Sequence, residues 1–246
     1  MKRVLLSMVF IFGASALASA QSFTYYFPQI AVGAGWRTTL FLSNATGSPA
    51  TATLTFTGDS GGPFFNNWLD ENGNNINGGS AQFTVNLNSG ESRKFVSVDD
   101  HPLESGYAMV SANASVLGTA MFSLLDGGGN IIAEAGVPMA IPLGKQAVFV
   151  DTTTGFRTGV AIANPNTGSL EVHFELLSDT GTLLTSTIQT LAPLAHIALF
   201  TDQLFPGQAP MVGRLQYWCM NPMVSVALRF SPSSEFTTMP PIAVAN

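Results

Sequence analysis

Apolar and polar residues alternate along most of this chain after residue 20, in short runs broken by Gly, Asn, Asp and Pro. The clearest run is Leu170–Leu177, where Val172, Phe174 and Leu176 interleave with Glu171, His173 and Glu175. A period of two puts the first set on one sheet face and the second on the other, one face buried and one wet. Such runs recur at roughly the 8–12-residue spacing of sandwiches and barrels, and helical periodicity is almost absent. The pattern predicts strands at Tyr25–Ala31, Trp36–Ser43, Ala50–Thr57, Ala81–Leu87, Arg93–Val98, Gly106–Ala112, Leu117–Leu125 and Ile131–Val137. A second set is expected at Ala147–Asp151, Phe156–Ala163, Leu170–Leu177, Ser186–Leu191, Ile197–Thr201, Gly213–Tyr217, Met223–Phe230 and Phe236–Ile242.

The two sets echo each other. Gly35–Gly61 and Gly155–Gly181 align without a gap at an offset of 120. Gly35, Arg37, Thr38, Asn44, Asp59 and Gly61 recur as Gly155, Arg157, Thr158, Asn164, Asp179 and Gly181. Beneath them, Trp36, Leu40, Leu42, Ala52, Leu54 and Phe56 meet Phe156, Val160, Ile162, Val172, Phe174 and Leu176. A fixed period of this kind reads as a tandem duplication. Further on, Leu87 answers Leu191, Phe122-Ser123 answers Phe230-Ser231, and Pro138-Met139-Ala140 answers Pro241-Ile242-Ala243. The expected organisation is all-β: a leader at 1–20, a first sandwich at 21–142 and a second at 143–246, each of about 110 residues. The join near Pro142-Leu143-Gly144-Lys145 is too short for a swinging linker.

Charge and the N-terminus narrow the setting. Lys2 and Arg3 precede an apolar run from Val4 to Leu17 and then Ala18-Ser19-Ala20, the layout of a secretory signal cut before Gln21. The run is shorter than the ~20 residues that span a bilayer. The expected mature chain is secreted or periplasmic, with no membrane span. Net charge is −6, and the loss of Lys2 and Arg3 makes it more negative. Nucleic acid is therefore not an expected partner. The lone Cys219 cannot form an internal disulfide and reads as a small buried hydrophobe.

One hexapeptide, Gly58-Asp59-Ser60-Gly61-Gly62-Pro63, resembles the nucleophile signature of trypsin-like serine proteases. The resemblance implies a serine hydrolase with Ser60 attacking a carbonyl. Against it, no histidine precedes Ser60, although that family places its base there. The first histidine, His101, lies in Asp99-Asp100-His101-Pro102, outside the family's context. The repeat also sets Asp59-Ser60-Gly61 on Asp179-Thr180-Gly181, a plain strand–turn with the residues that tight turns prefer.

After this turn the first repeat carries about sixteen extra residues, because the offset falls from 120 to 104. The Phe64–Asn77 loop holds Phe64, Phe65 and Trp68 beside Asn67, Asp70, Asn72 and Asn74, a set able to stack a sugar ring and bond its hydroxyls. The alternative is that these aromatics fold back over the open end of the sandwich. Asp70, Asn72 and Asn74 also have the alternate spacing that starts an EF-hand calcium loop. Asn75 stands where that loop needs Gly, and Ala81 where it needs the bidentate acid. Glu171, His173 and Glu175 are spaced about 6.5–7 Å apart along their strand, too far for shared metal ligation, and read as a solvated face. Arg37 and Arg157 read as structural clamps, and Trp36 and Phe156 as core anchors. No cofactor is expected.

Two exported all-β repeats with an Asn-bearing turn after the second strand resemble the tandem immunoglobulin-like modules of secreted bacterial proteins, without the Cys…Trp…Cys signature of antibody domains. The resemblance implies a non-catalytic surface, matrix or adhesion module that meets an unidentified protein or polysaccharide at the cell exterior. A glycan-binding protein using the Phe64–Asn77 loop and a serine hydrolase at Ser60 are the alternatives.

Overall fold

The structure is a computed structural model that describes residues 22–98 and 100–245. The expected leader therefore lies outside the described residues. The chain is all-β and antiparallel, with strands β1 (Phe23–Val32), β2 (Trp36–Ser43), β3 (Ala50–Gly58), β4 (Trp68–Leu69), β5 (Gln82–Leu87), β6 (Ser92–Ser97), β7 (Glu104–Ala112), β8 (Leu117–Leu125) and β9 (Ile131–Pro138) in its first half. The second half holds β10 (Leu143–Asp151), β11 (Arg157–Ala163), β12 (Leu170–Ser178), β13 (Leu183–Leu191), β14 (His196–Phe200), the single helical turn α1 (Thr201–Leu204), β15 (Val212–Phe230), β16 (Phe236–Thr238) and β17 (Ile242–Ala243).

Each half is two sheets face to face. In the first, β1-β7-β3-β5 packs on β4-β6-β2-β8-β9. Alternation supplies the core between them: Phe27, Leu54 and Val110 from one sheet meet Leu40, Phe95 and Phe122 from the other. In the second half the order β10-β15-β12-β13 repeats β1-β7-β3-β5, and β14-β11-β15-β16 repeats β6-β2-β8-β9. Val148, Phe174 and Leu215 there face Val160, Ile162 and Ala227.

The strand β15 takes the place of both β7 and β8. Two strands are expected here from sequence, Gly213–Tyr217 and Met223–Phe230, yet the backbone stays extended through Pro222 for nineteen residues and changes sheets at a corner. Val212–Trp218 pairs with β10 and β12, and Val224–Phe230 pairs with β11. A buried polar chain holds the corner. The Tyr217 hydroxyl lies 2.8 Å from Ser225 Oγ, which donates to Gln146 Oε1 at 2.8 Å. Burial pushes the Tyr217 phenol well above its ordinary pKa.

Strand register corrects two sequence pairings by one residue. Thr38 faces Phe122 while Thr158 faces Arg229, so Phe122 answers Arg229 rather than Phe230. Met121 faces Gly136 while Leu228 faces Thr238, which moves Pro138 onto Pro240 rather than Pro241.

The recurring asparagines do the same work in both halves. Asn44 is buried; its amide donates to the Ser48, Leu87 and Asn88 carbonyls, and its oxygen accepts from Thr46. Asn164 donates to Gly168 and Ala192 and accepts from Asn166. Each ties the turn after the second strand of its half to the end of the sheet's edge strand, β5 or β13, which satisfies backbone groups that burial would otherwise orphan.

The halves abut. Ala161, Val226 and Phe236 of the second half belong to the first half's apolar cluster. Trp36 packs on Phe236 with ring centroids 5.2 Å apart. Trp36 and Phe156 are half-buried rather than core anchors, because Trp36 opens β2 and Phe156 immediately precedes β11, both at the rim of the sandwich.

Candidate functional site

The hexapeptide Gly58–Pro63 is a bracket between the two halves. Strand β3 ends at Gly58, and the turn closes with the Gly61 N–H donating to the Gly58 carbonyl at 2.9 Å. Asp59 accepts from Ser105 Oγ through Oδ2 at 2.7 Å, and its Oδ1 lies 2.8 Å from His196 Nδ1. The His196 backbone N–H also donates to the Asp59 carbonyl at 3.0 Å. Gly61 sits at φ +84°, and a methyl group there would lie 2.5 Å from the Pro193 carbonyl oxygen. Only glycine admits so close an approach of two backbones.

The histidine that meets Asp59 is thus His196, which enters from the other half and which the order of residues along the chain could not foretell. Its ring is buried, Nδ1 is held by Asp59, and Nε2 has no hydrogen-bond partner among the described residues. Ser60 stands exposed at the turn. Asp59 bonds Ser105, not Ser60, and the imidazole is enclosed where a general base needs access to its nucleophile.

The Phe64–Asn77 loop covers the first sandwich. Trp68 is fully buried and stacks on Phe56 at 4.7 Å, with Phe83 at 6.2 Å, and Phe64 is buried beside them. The sugar-stacking set is therefore not assembled: Phe65, 65% exposed, is the one aromatic of the three that faces water. Burial of Trp68 and Phe64 removes far more apolar area from water than a solvent-facing platform would. In the second half, Leu204 and Phe205 join the core beside β13 and close the corresponding end without an insertion.

The polar loop residues serve the loop itself. Asn67 Oδ1 accepts from the Asn75 amide at 2.7 Å, and Asn77 Oδ1 accepts the Trp68 N–H at 2.9 Å. Asp70 Oδ1 accepts the N–H groups of Asn72 and Asn74, both at 2.9 Å, and Oδ2 accepts the Asn74 amide at 3.2 Å. Asp126 is held alike by Gly128 and Asn130, with Gly73 and Gly129 at φ +82° and +81°. Asp70, Asn72 and Asn74 therefore form a hairpin turn instead of a calcium loop, the Asn74 amide nitrogen facing the carboxylate. The Asn74 N–H holds Asp70, and the Asn130 amide holds Asp126, below the usual carboxylate range. Among the described residues no group of three or more His, Cys, Asp or Glu is arranged to hold a metal.

Beneath the bracket lies a cleft of about 410 Å³ between the halves, lined by Trp36, Leu103, Phe122, Phe200 and Phe230 with Gln29, Ser105 and Gln203 at its margin. Gly159 lets the Phe200 ring lie against β11, and Arg157 covers that ring from 3.7 Å. Arg157 also grips Asp202 with both carboxylate oxygens near 3 Å, which is the clamp expected of it. For Arg37 no acidic partner occurs among the described residues. The cleft has the size of a small-molecule pocket and can hold an apolar group with a few hydrogen bonds at its edge. Sequence reading passed over it because its walls come from strands of both halves.

The remaining candidates are inert or structural. His173 stacks on Trp218 at 5.3 Å, and Glu175 accepts from Gln216 at 3.2 Å, while Glu171 stays exposed. Burial pushes the Cys219 thiol up to about 11, and the thiol donates to the Asn221 carbonyl. His101 bonds Asn66 and the Pro102 carbonyl. No helix among the described residues is long and apolar enough to cross a membrane.

No protein-family model matches the chain. No curated protein matches it either. Among solved structures, FlgD from P. aeruginosa is similar over 42% of this chain and 74% of its own, at 15% identity and a TM-score of 0.21.

Proposed function

We propose that this chain is an exported, non-catalytic interaction protein: a surface, matrix or adhesion module. In this reading two immunoglobulin-like sandwiches descend from one copied unit and are clamped to one another. The observation that carries it is the shared carboxylate of Asp59. Ser105 of the same half donates to one oxygen and His196 of the other half meets the second, so the acid and the imidazole join the halves instead of serving Ser60. Export follows from the basic start, apolar run and small residues of positions 1–20.

The test is a fluorophosphonate probe applied to the full chain and to Ser60→Ala. The expected result is equal, background labelling of both. Labelling of the wild type that Ser60→Ala abolishes would overturn the non-catalytic reading. Separately, the exported chain added to intact cells should be retained by the envelope and released by an excess of unlabelled protein.

A further inference from the structure

Most sheet edges in this molecule are short or covered. The edge of β4 is two residues long, and β9 is overlaid by β16, with Thr238 Oγ1 donating to the Gly136 carbonyl at 2.6 Å. The edges β1, β5, β13 and β14 each pair with one strand; β1 contains Pro28, β5 and β14 are six and five residues long, and the longest uninterrupted edge is β13, Leu183-Leu184-Thr185-Ser186-Thr187-Ile188-Gln189-Thr190-Leu191, which pairs with β12 alone among the described residues. It is nine residues long, with no charge, proline or glycine. Natural sheets blunt such edges with lysine, proline or bulges, because open N–H and C=O groups template another strand. This one has a single irregularity, at Leu184 where the register with β12 shifts, and its Thr185–Leu191 stretch is regular and bare; Leu183, Leu184 and Ile188 are about half exposed.

The two halves differ at this strand. In β5 the core-facing Phe83 and Val85 are buried. Register sets Thr187 and Gln189 at their places, since Leu54 faces Phe83 and Ala52 faces Val85 while Phe174 faces Thr187 and Val172 faces Gln189. From Thr185 to Thr190 both faces of β13 are thus polar or half-wet, and Leu191 alone of the strand is buried in the core.

We propose that β13 pairs antiparallel with β13 of a second copy of this chain, about a dyad at Thr187. The dyad stands perpendicular to the sheet, so the run β13-β12-β15-β10-β17 continues into its copy with both cores on one side. Within the regular stretch Ser186 then faces Ile188 of the other copy and Thr185 faces Gln189. No like charges meet, because the strand carries none. The Glu171 and Glu175 carboxylates on β12 lie at least about 14 Å from their copies across three strand spacings. That exceeds the Debye length of about 8 Å in physiological salt, so these two acids do not oppose the contact. This inference goes beyond the module reading, and its readout is separate from Ser60 labelling.

Sedimentation equilibrium of the full exported chain, from about 1 to 100 μM in 0.15 M salt, tests it. The wild type is expected to show a monomer–dimer equilibrium. Ser186→Lys with Ile188→Lys sets ammonium groups opposite one another twice over and should raise the dimer Kd at least about tenfold. Ser186→Glu with Ile188→Lys sets opposite charges at the same two places and should return the Kd to the wild-type range. Both positions are exposed, and unchanged melting curves of the variants confirm the fold. A wild type that stays monomeric throughout, or a Kd on which the two double variants act alike, would overturn the proposal.

Discussion

The Asp59 carboxylate lies 2.8 Å from His196 Nδ1, across 137 residues of chain. The exposed acid meets a ring with no solvent access, so the pair bridges a surface turn of the first half and the interior of the second. Replacement of Asp59 by Ala leaves a buried imidazole with neither nitrogen partnered by a side chain and strips Ser105 of its acceptor. Loss of such a partner costs roughly 1–3 kcal/mol. Asp179→Ala, at the matching turn of the second half, should stay within about 0.5 kcal/mol, as surface substitutions do. Urea unfolding of both variants decides it; equal losses would show that the His196 contact contributes nothing.

Gly61 and Gly181 form a second matched pair, at φ +84° and +82°. Alanine at either carries the left-handed strain of roughly 1–2 kcal/mol. At Gly61 the added methyl also meets the Pro193 carbonyl, while at Gly181 it meets open space. Gly61→Ala should therefore destabilise by about 1–3 kcal/mol more than Gly181→Ala. Similar midpoints for the two would mean that the halves do not touch here in solution.

The loop aromatics separate by burial. Trp68→Ala removes a fully buried side chain stacked on Phe56 and should cost about 3–5 kcal/mol. Phe65→Ala, at an exposed site, should change stability by less than about 0.5 kcal/mol. Thermal unfolding reads both, and a tolerant Trp68 would place that ring outside the core.

Acid should weaken the fold through its turn carboxylates. Asp70, Asp126 and Asp151 are held below their ordinary values, first by the Asn74 N–H, the Asn130 amide and the Thr153 hydroxyl respectively. A lowered folded-state pKa means full stabilisation above the unfolded value of about 4 and its loss as pH falls through the folded values. Melting temperature should hold near neutrality and drop from about pH 4 downward. Asp→Asn at all three positions keeps an acceptor oxygen, lowers the neutral plateau and flattens the acid limb. Parallel acid limbs for variant and wild type would assign the drop to other groups.

Much of the fold was legible because strand alternation is a local signal. Val172, Phe174 and Leu176 announce their buried face within seven residues, and Asn44 and Asn164 announce their turn. The misreadings come from places where local rules and tertiary context disagree. Gly213–Tyr217 and Met223–Phe230 are separate strands only if a strand cannot round a corner, and Trp68 looks like a platform only if the end of the sandwich is already closed. The cleft and the His196 contact had no local signal, since both are made between halves.

From its residues alone the chain declares an all-β architecture, the repeating strand pattern and the turn chemistry, because each depends on neighbours two to four positions apart. What waited for the tertiary structure was the use to which those residues are put. Asp59 as a bracket rather than a protease relic, Trp68 as a lid and β13 as a bare edge all rest on which distant backbone lies within about 3 Å of a hydrogen-bonding group, and on which does not. Chain order does not encode that distance; packing of the two halves sets it.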